Sequence, residues 1–338
     1  MKAPKTLLQA IEYFSDEQVC IDAVAMMRWP QGVKCGYCDA DKPYYLKAQK
    51  RWKCRACRKQ FSVKVNSVFE DSPISLKKWL PALWLIVNCK NGVSSYEIAR
   101  DLGVTQKSAW FMLQRLRLAM RARDLSFKMG GDGGPVEIDE AFIGGAPGNK
   151  HVSIRKKNMF VDAGDGRMVR NPNYRSSTGR ASKKTPVFGM IDRDTRQVRA
   201  QVIPEVKREI LMDAILNNVE KGSTIYSDGL HEYKSLKAND FVHETVNHLW
   251  EYVRGEVHTN GIENFWSLLK RGLRGTYVAV EPFHLDRYVD EQVFRFNHRA
   301  TKDNPLNDAD RFYIALSQVA NKRLTYAELT GKVAGTQA

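Results

Sequence analysis

The chain has 338 residues, enough for two or three domains, and its hydrophobic content of 43% is sufficient to build buried cores. Its 53 Lys and Arg residues exceed its 38 Asp and Glu residues, and the net charge of +15 favours a polyanionic partner. No segment approaches the roughly 18 consecutive apolar residues of a membrane span, and the N-terminal residues lack the apolar core of a signal peptide. These features exclude a membrane protein, and we expect a cytoplasmic one.

The first predicted element is an amphipathic helix. Residues 15–18 (SDEQ) have the form of a capping box, and the helix that follows is expected to stop at Trp29 and Pro30.

Two C-x-x-C pairs follow this helix: Cys35 with Cys38, and Cys54 with Cys57. Their spacing allows two knuckles to place four thiolates tetrahedrally around one zinc ion, with no open position for a substrate. Short alternating strands between and after the pairs indicate a zinc ribbon with a structural zinc. The Lys and Arg residues of this region either contact DNA phosphates or form a solvated basic surface.

Residues 76–87 follow helical spacing, and Pro81 within them predicts a helix that starts late or kinks. A helix-turn-helix is predicted next, with a capping box at 94–97 (SSYE), a turn at Gly103 and a second helix capped by Thr105. A purely structural helical hairpin is the alternative. The predicted DNA-contacting residues of this region are Gln106, Lys107, Ser108 and Arg115.

Residues 130–135 (GGDGGP) indicate a linker. Beyond it, strands are predicted at 136–139, 186–191, 198–203 and 224–227, and helices at 209–219, 282–297 and 307–319. The predicted regions are an N-terminal helix and zinc ribbon (1–68), a helical region with the helix-turn-helix (69–129), an α/β domain (135–300) with a mobile basic insertion (144–185), and a C-terminal helical tail (301–338). No nucleotide-binding P-loop is present, so no ATP-driven mechanism is expected.

Asp139 and Asp228 each end a predicted strand, and Glu263 lies near the start of a predicted helix. If the two strands are neighbours, the three carboxylates converge at one edge of a sheet, where Mg²⁺ can bind through oxygen ligands and bridge to phosphate. Two such ions about 3.5–4 Å apart would activate an attacking oxygen and stabilise a leaving oxygen. For each Asp, a turn residue at a strand end is the alternative.

Residues 258–271 (HTNGIENFWSLLKR) predict an amphipathic helix that Asn260 can cap. Its apolar face consists of Ile262, Phe265, Trp266 and Leu269, and its opposite face carries Glu263, Ser267, Lys270 and Arg271. A carboxylate followed by basic residues suits a site that binds a metal ion and a phosphate backbone together. An ordinary surface helix with solvated charges is the alternative.

Three blocks of the sequence resemble DDE-type insertion-sequence transposases, and in particular the bacterial family numbered fifteen-ninety-five, which has an N-terminal zinc ribbon. They are residues 136–140 (VEIDE), 226–229 (YSDG) and 258–272 (HTNGIENFWSLLKRG). Residues 275–277 (GTY), 287–291 (RYVDE) and 294–297 (FRFN) extend the resemblance over nearly the whole chain.

The resemblance implies that the α/β domain is RNase H-like, a mixed sheet flanked by helices, and that it uses Mg²⁺ or Mn²⁺. Asp139 and Asp228 match the first two ligands of the family, and Lys270 matches its downstream lysine. Glu263 and Asn260 both fit the third ligand position, and we favour Glu263 because an anionic oxygen binds a hard cation better than an amide oxygen does.

The sequence therefore predicts a multidomain transposase of a bacterial insertion sequence. It would bind the element's double-stranded DNA ends, hydrolyse them with its metal ions, and join the freed 3′-hydroxyl groups to target DNA. Lys270 and Arg271 are predicted to contact DNA as well. The resemblance also implies a homodimer or higher oligomer, acting at the nucleoid. One alternative is a zinc-ribbon regulator whose nuclease-like domain is inactive, and another is a structure-specific nuclease without strand transfer.

Overall fold

The computed structural model describes residues 4–121, 127–144, 160–162, 167–170, 184–228, 233, 236, 239–246, 257–302 and 304–332. Most of the predicted mobile insertion at 144–185 lies outside the described residues. The chain divides into two compact units. The first unit comprises Met1–Arg123, Arg274–Tyr277 and Asp290–Ala338, and the second unit comprises Asp124–Leu273 and Val278–Val289.

The regular elements are numbered in chain order. The helices are α1 (Leu7–Tyr13), α2 (Glu17–Arg28), α3 (Leu76–Asn88), α4 (Ser95–Leu102), α5 (Gln106–Met120), α6 (Arg208–Asn218), α7 (Asn260–Gly272), α8 (Leu285–Asn297), α9 (Asp308–Ser317) and α10 (Tyr326–Leu329). The strands are β1 (Tyr44–Leu46), β2 (Arg51–Lys53), β3 (Gln60–Phe61), β4 (Pro135–Ile143), β5 (Phe160–Asp162), β6 (Met168–Arg170), β7 (Thr185–Asp192), β8 (Val198–Val202), β9 (Thr224–Asp228) and β10 (Val242–Val246).

The first unit is built around α3, which packs on α1, α2, α5 and α9. Trp79 and Trp84 of α3 are each 1% exposed, and the ring of Trp84 lies 5.3 Å from that of Phe312 in α9. The helix begins at Leu76 and includes a buried Pro81, so the predicted late start is wrong. Apolar packing along the whole of α3 compensates for the backbone hydrogen bond that proline cannot donate.

Local capping signals place most of the helix boundaries of the first unit. Ser94 and Glu97 form the predicted capping box of α4, Gly103 is left-handed at its C-terminal end, and the Thr105 hydroxyl caps α5 by accepting from the backbone N–H of Ser108. The start of α2 differs by one residue from the prediction, because Asp16 is the N-cap and accepts from the backbone N–H of Gln18 at 2.6 Å.

The second unit contains a mixed sheet with strand order β10-β9-β4-β7-β8. β4 is parallel to β9 and antiparallel to β7, β9 and β10 are parallel, and β7 and β8 are antiparallel. Because side chains alternate along a strand, β4 directs its odd and even residues to opposite faces. Val136 and Ile138 share a buried core with Leu211 and Ile215 of α6, whereas α7 contacts β4 and β7 from the other face.

The mixed α/β sheet flanked by helices agrees with the predicted fold class. Most predicted strands and helices of the second unit end within two residues of observed ones. The predicted strand at 136–139 extends to Ile143 in β4, and the predicted helix at 282–297 begins with a separate 3₁₀ turn, Pro282–His284, before α8. Within the described residues, no helix is long and apolar enough to cross a membrane.

Candidate zinc and catalytic sites

The four cysteines of the two C-x-x-C pairs come together in one cluster. The Sγ atoms of Cys35 and Cys57 lie 3.7 Å apart, as do those of Cys38 and Cys54, and all four lie within 4.8 Å of one another. A tetrahedral zinc ion with Zn–S bonds of about 2.3 Å separates its sulfurs by about 3.8 Å. The cluster therefore fits the predicted structural zinc.

Backbone N–H groups of the knuckles donate hydrogen bonds to two of the four cysteine sulfurs. The N–H of Cys57 donates to Cys54 Sγ at 3.4 Å, and the N–H of Tyr37 donates to Cys35 Sγ at 3.4 Å. The bond from Cys57 is the main cause that lowers the pKa of Cys54 to about 7. Since zinc binds thiolates rather than thiols, these bonds prepare the ribbon for the ion.

Helix α7 lies on the sheet through its apolar face, as the sequence predicts. Ile262, Phe265, Trp266 and Leu269 are all buried. The predicted cap is wrong, because Thr259 occupies the N-cap position and Asn260 is the first helical residue, with an exposed side chain. Thr259 does not cap through its side chain; its hydroxyl donates to Glu263 Oε1 at 2.9 Å.

A glycine of β7 permits the close approach of α7. Gly189 pairs with Asp139 across the β4–β7 ladder, and a Cβ atom at position 189 would lie 2.6 Å from the Trp266 ring. With the ring against this glycine, Trp266 Nε1 donates to Asp139 Oδ2 at 3.0 Å.

A pocket of about 360 Å³ opens beside this contact. Its lining residues are Asp139, Glu140, Asp228, Glu263, Trp266, Ser267 and Lys270. The structure thus brings together three acids and the lysine that were predicted from the sequence. In the described part of the chain the lining does not include Asn260 or Arg271, both of which are exposed on α7.

The electrostatics of the pocket are dominated by its acids. Burial, followed by the charges of Asp228 and Glu263, raises the pKa of Asp139 to about 7, although hydrogen bonds from the backbone of Glu140 and from the Trp266 N–H oppose the shift. Hard divalent cations such as Mg²⁺ and Mn²⁺ prefer carboxylate oxygens, so the donor set fits such an ion, whose charge would offset this repulsion. Among the described residues only the four cysteines have ligand atoms all within 4.8 Å, so the acids are more widely spaced than the sulfurs.

Sequence reasoning missed several residues around the pocket. Glu140 lines it and accepts from the buried hydroxyl of Tyr233. Trp266 was predicted only as an apolar residue, and its indole N–H contacts Asp139. Glu137 is 2% exposed and pairs with Arg193. The alternation of β4 was a usable signal for Glu137, because it places this acid on the same face as Asp139.

The predicted DNA-contacting residues of α5 differ in accessibility. Gln106, Lys107 and Ser108 lie in its first turn, where the exposed Lys107 ammonium stands 4.7 Å from the ring centre of Tyr326 and Gln106 donates to Ser95.

Arg115 was also predicted to contact DNA, and the structure contradicts this. It is 5% exposed, and its guanidinium donates to the backbone carbonyls of Val68, Glu70 and Leu324. All of these partners lie within the first unit. Its role in this structure is to bind these carbonyls, and it is not available at the surface.

Comparison with known families gives the identity of the chain. Residues 132–297 match the ISXO2-like transposase domain, and residues 15–60 match the transposase zinc-ribbon domain. Both are domains of the insertion-sequence family IS1595, and the chain belongs to this family of transposases. The predicted resemblance is confirmed.

A relative is found in Halobacterium salinarum, the "Uncharacterized protein in transposable element ISH50". It is 27% identical over 275 residues, which cover 79% of this chain and 86% of the relative. The similarity therefore extends well beyond the zinc ribbon.

Proposed function

We propose that the second unit is an RNase H-like domain with DDE chemistry, which cleaves DNA at the ends of an insertion sequence and joins the 3′-hydroxyl groups to target DNA. The observation that carries the proposal is the pocket that Asp139, Asp228, Glu263 and Lys270 line together. The mixed sheet order around β4 and β9 is compatible with this fold.

Five of the residues that line the pocket have a chemical role in the proposal. Asp139 and Asp228 are two carboxylate ligands of Mg²⁺ or Mn²⁺, and Glu263 is the third because it lines the pocket. When bound, such ions activate the attacking oxygen and stabilise the leaving one. The Trp266 N–H orients the Asp139 carboxylate. Lys270 contacts a phosphate near the scissile bond, since its ammonium is a mobile point charge.

The first unit is proposed to hold the DNA. Its zinc ribbon carries basic side chains, and α4 and α5 are proposed as a helix-turn-helix that presents Gln106, Lys107 and Ser108 to double-stranded DNA. Binding should weaken steeply with salt, because phosphate contacts release counterions. Action in the cytoplasm at the nucleoid, and assembly as a homodimer or higher oligomer that bridges two ends, belong to the same proposal.

Strand transfer on DNA that carries the element's own ends tests this function. The wild type is compared in Mg²⁺ with Asp228→Asn and Glu263→Gln, each of which preserves side-chain size. We expect joined products from the wild type and a loss of at least about a hundredfold in both variants, with DNA binding retained. Asp213→Asn is the matched control, because Asp213 is an exposed acid of α6, and it should join DNA normally.

Other outcomes select the alternatives. Products that are cut but never joined indicate a nuclease without strand transfer. A wild type that binds its ends and never cuts them indicates a regulator. If Glu263→Gln remains active, Glu263 is not the third ligand, and Asn260 becomes the residue to substitute next.

A further inference from the structure

Two hydrogen bonds tie helix α7 to strand β4. Glu137 Oε2 accepts from the backbone N–H of Ile262 at 3.0 Å, in the first turn of the helix. Asp139 Oδ2 accepts from Trp266 Nε1 at 3.0 Å, one turn further along. Glu137 and Asp139 are two residues apart on β4 and therefore face the same side of the sheet.

The spacing of the two bonds on the helix matches their spacing on the strand. Four residues of α-helix rise about 6 Å, and two residues of β-strand span about 6.7 Å. The helix therefore advances along β4 in a fixed register. A shift of α7 by one residue would rotate it by about 100° and break both bonds, and Glu263 would then turn away from the pocket.

The Glu137 carboxylate is firmly held. It is 2% exposed, and its Oε1 lies 2.7 Å from Arg193 Nε and 3.5 Å from His258 Nδ1. The guanidinium of Arg193 in turn donates to the backbone carbonyl of His258 at 2.6 Å and lies over the ring of Tyr226 at 4.5 Å. A buried charge so closely paired resists displacement, because removing either partner leaves the other unpaired.

The start of α7 rests directly on this carboxylate. A Cβ atom at Gly261 would lie 2.8 Å from Glu137 Oε2, so only glycine lets the helix approach this closely. The negative carboxylate also lies at the N-terminal end of the helix, where the helix dipole favours negative charge.

We propose that Glu137 is a positioning residue for the metal site: it fixes the N-terminal turn of α7 on β4 so that Glu263, which directly follows Ile262, faces Asp139 across the pocket. The inference rests on the proposed function in that Asp139 and Glu263 are taken as metal ligands. Glu137 itself is not a member of the pocket lining.

Mn²⁺ binding to the full-length, zinc-loaded protein tests the inference without relying on catalysis. Electron paramagnetic resonance measures free Mn²⁺ during a titration of the wild type, Glu137→Gln and Asp192→Asn. We expect Glu137→Gln to weaken Mn²⁺ binding by about tenfold, as the loss of groups that orient metal ligands commonly does. Single-turnover cleavage should need correspondingly more Mn²⁺, while affinity for DNA ends stays unchanged.

Asp192→Asn is the matched control. Asp192 is a buried acid of the same sheet, 5% exposed, and it accepts from the backbone N–H groups of Gly130, Asp194 and Thr195, which are not part of α7. This variant should lose stability and keep its Mn²⁺ affinity. Equal Mn²⁺ affinity in Glu137→Gln and the wild type would overturn the inference, as would equal weakening in Asp192→Asn.

Gly261→Ala is a second variant for the case in which Glu137→Gln does not fold. Alanine favours helix and would by itself stabilise α7, but its Cβ must push the carboxylate off the Ile262 N–H. We expect weaker Mn²⁺ binding again, and unchanged binding would contradict the inference. A wild type that binds no Mn²⁺ overturns the proposed function and the inference together. A wild type that binds Mn²⁺ without cutting overturns only the proposed chemistry.

Discussion

At the scale of single residues, the two candidate metal sites differ in how strongly their surroundings stabilise negative charge. In the cysteine cluster, the backbone N–H groups of Tyr37 and Cys57 donate to the sulfurs of Cys35 and Cys54, which stabilises negative sulfur. The Asp139 carboxylate accepts from the indole of Trp266 and from the backbone of Glu140, while two neighbouring carboxylates oppose its charge. The sulfur cluster is thus prepared for a permanent ion. The acids keep a repulsion that an exchangeable ion with its own waters can relieve.

The first prediction concerns the zinc site. Cys54→Ser removes a ligand and the sulfur that accepts from the Cys57 N–H. We expect the purified protein to lose its zinc, because a hydroxyl is a poor ligand for this ion, and the ribbon to unfold with it. Zinc content is measured by atomic absorption.

Cys89→Ser is the control for that measurement. Cys89 is a partly buried cysteine that does not belong to the four-cysteine cluster, and its substitution should leave the zinc in place. Full zinc content in Cys54→Ser would contradict the assignment of the site.

At the scale of elements, the packing of α7 on the sheet depends on a glycine, Gly189 of β7, which has no side chain to collide with the helix. Gly189→Ala places a methyl group 2.6 Å from the Trp266 ring, inside a contact between strand and helix. We expect the free energy of unfolding to fall by about 1–3 kcal/mol, as in other overpacked cores. Urea denaturation measures it.

Two further variants make this prediction specific. Gly131→Ala, where the new methyl group would meet no atom closer than 3.9 Å, should be tolerated. Trp266→Leu removes the ring that collides, so combining it with Gly189→Ala should cost less than the sum of the two single substitutions. If the losses in free energy of unfolding were strictly additive, the contact between position 189 and the Trp266 ring would not limit the packing.

The boundaries and buried faces of the helices were predictable where neighbouring residues in the sequence determine them. Thr105 caps α5 as its position in the sequence indicates, and the spacing of Ile262 and Trp266 gave the buried face of α7. The prediction failed at Asn260, because the backbone N–H of Ile262, which a capping side chain could have bound, donates instead to Glu137 of the distant strand β4.

Residues whose partners are distant in the chain were not predictable. Arg115 is a basic residue on a helix predicted to bind DNA, which suggested a DNA contact. Its guanidinium instead donates to the backbone carbonyls of Val68, Glu70 and Leu324, which are distant in the sequence. The convergence of Asp139 with Asp228 was foreseen only on the condition that their strands are neighbours. Helical periodicity likewise predicted α9 but gave no sign that it packs on α3.

At the scale of the whole molecule, the first unit is held together across most of the sequence. Glu291 of α8 is fully buried and binds Arg117 of α5 at 2.6 Å, together with Arg295 and the hydroxyl of Tyr277. Burial alone would raise the pKa of Glu291, but Arg295 and Arg117 hold it below its ordinary value. These contacts join three separate segments of the chain.

The third prediction is that Glu291→Gln destabilises the first unit by about 3–5 kcal/mol, because it leaves buried guanidinium groups without their counter-ion. The folded pKa is depressed, so the charge of Glu291 stabilises the protein above the ordinary pKa of 4.5 and this contribution is lost as the pH falls below it. The difference between wild type and variant should therefore shrink in acid. Thermal unfolding from neutral to acidic pH measures it.

Glu12→Gln, at an exposed position of α1, is the control and should unfold like the wild type at every pH. A constant difference between the wild type and Glu291→Gln across this range would mean that Glu291 does not contribute through its charge.

The first unit is built from segments that lie far apart in the chain, and this affects its folding during synthesis on the ribosome. The core that contains Trp79 and Trp84 is completed by Phe294, Phe312 and Leu316, which are translated more than two hundred residues later. During translation, helices α1 to α5 expose apolar surface until these later residues are made. By contrast, all five strands of the mixed sheet in the second unit have been translated by Val246. The unit that contains the N-terminal helices therefore cannot complete its core until α9 has been translated, and its exposed apolar surface is prone to aggregation until then.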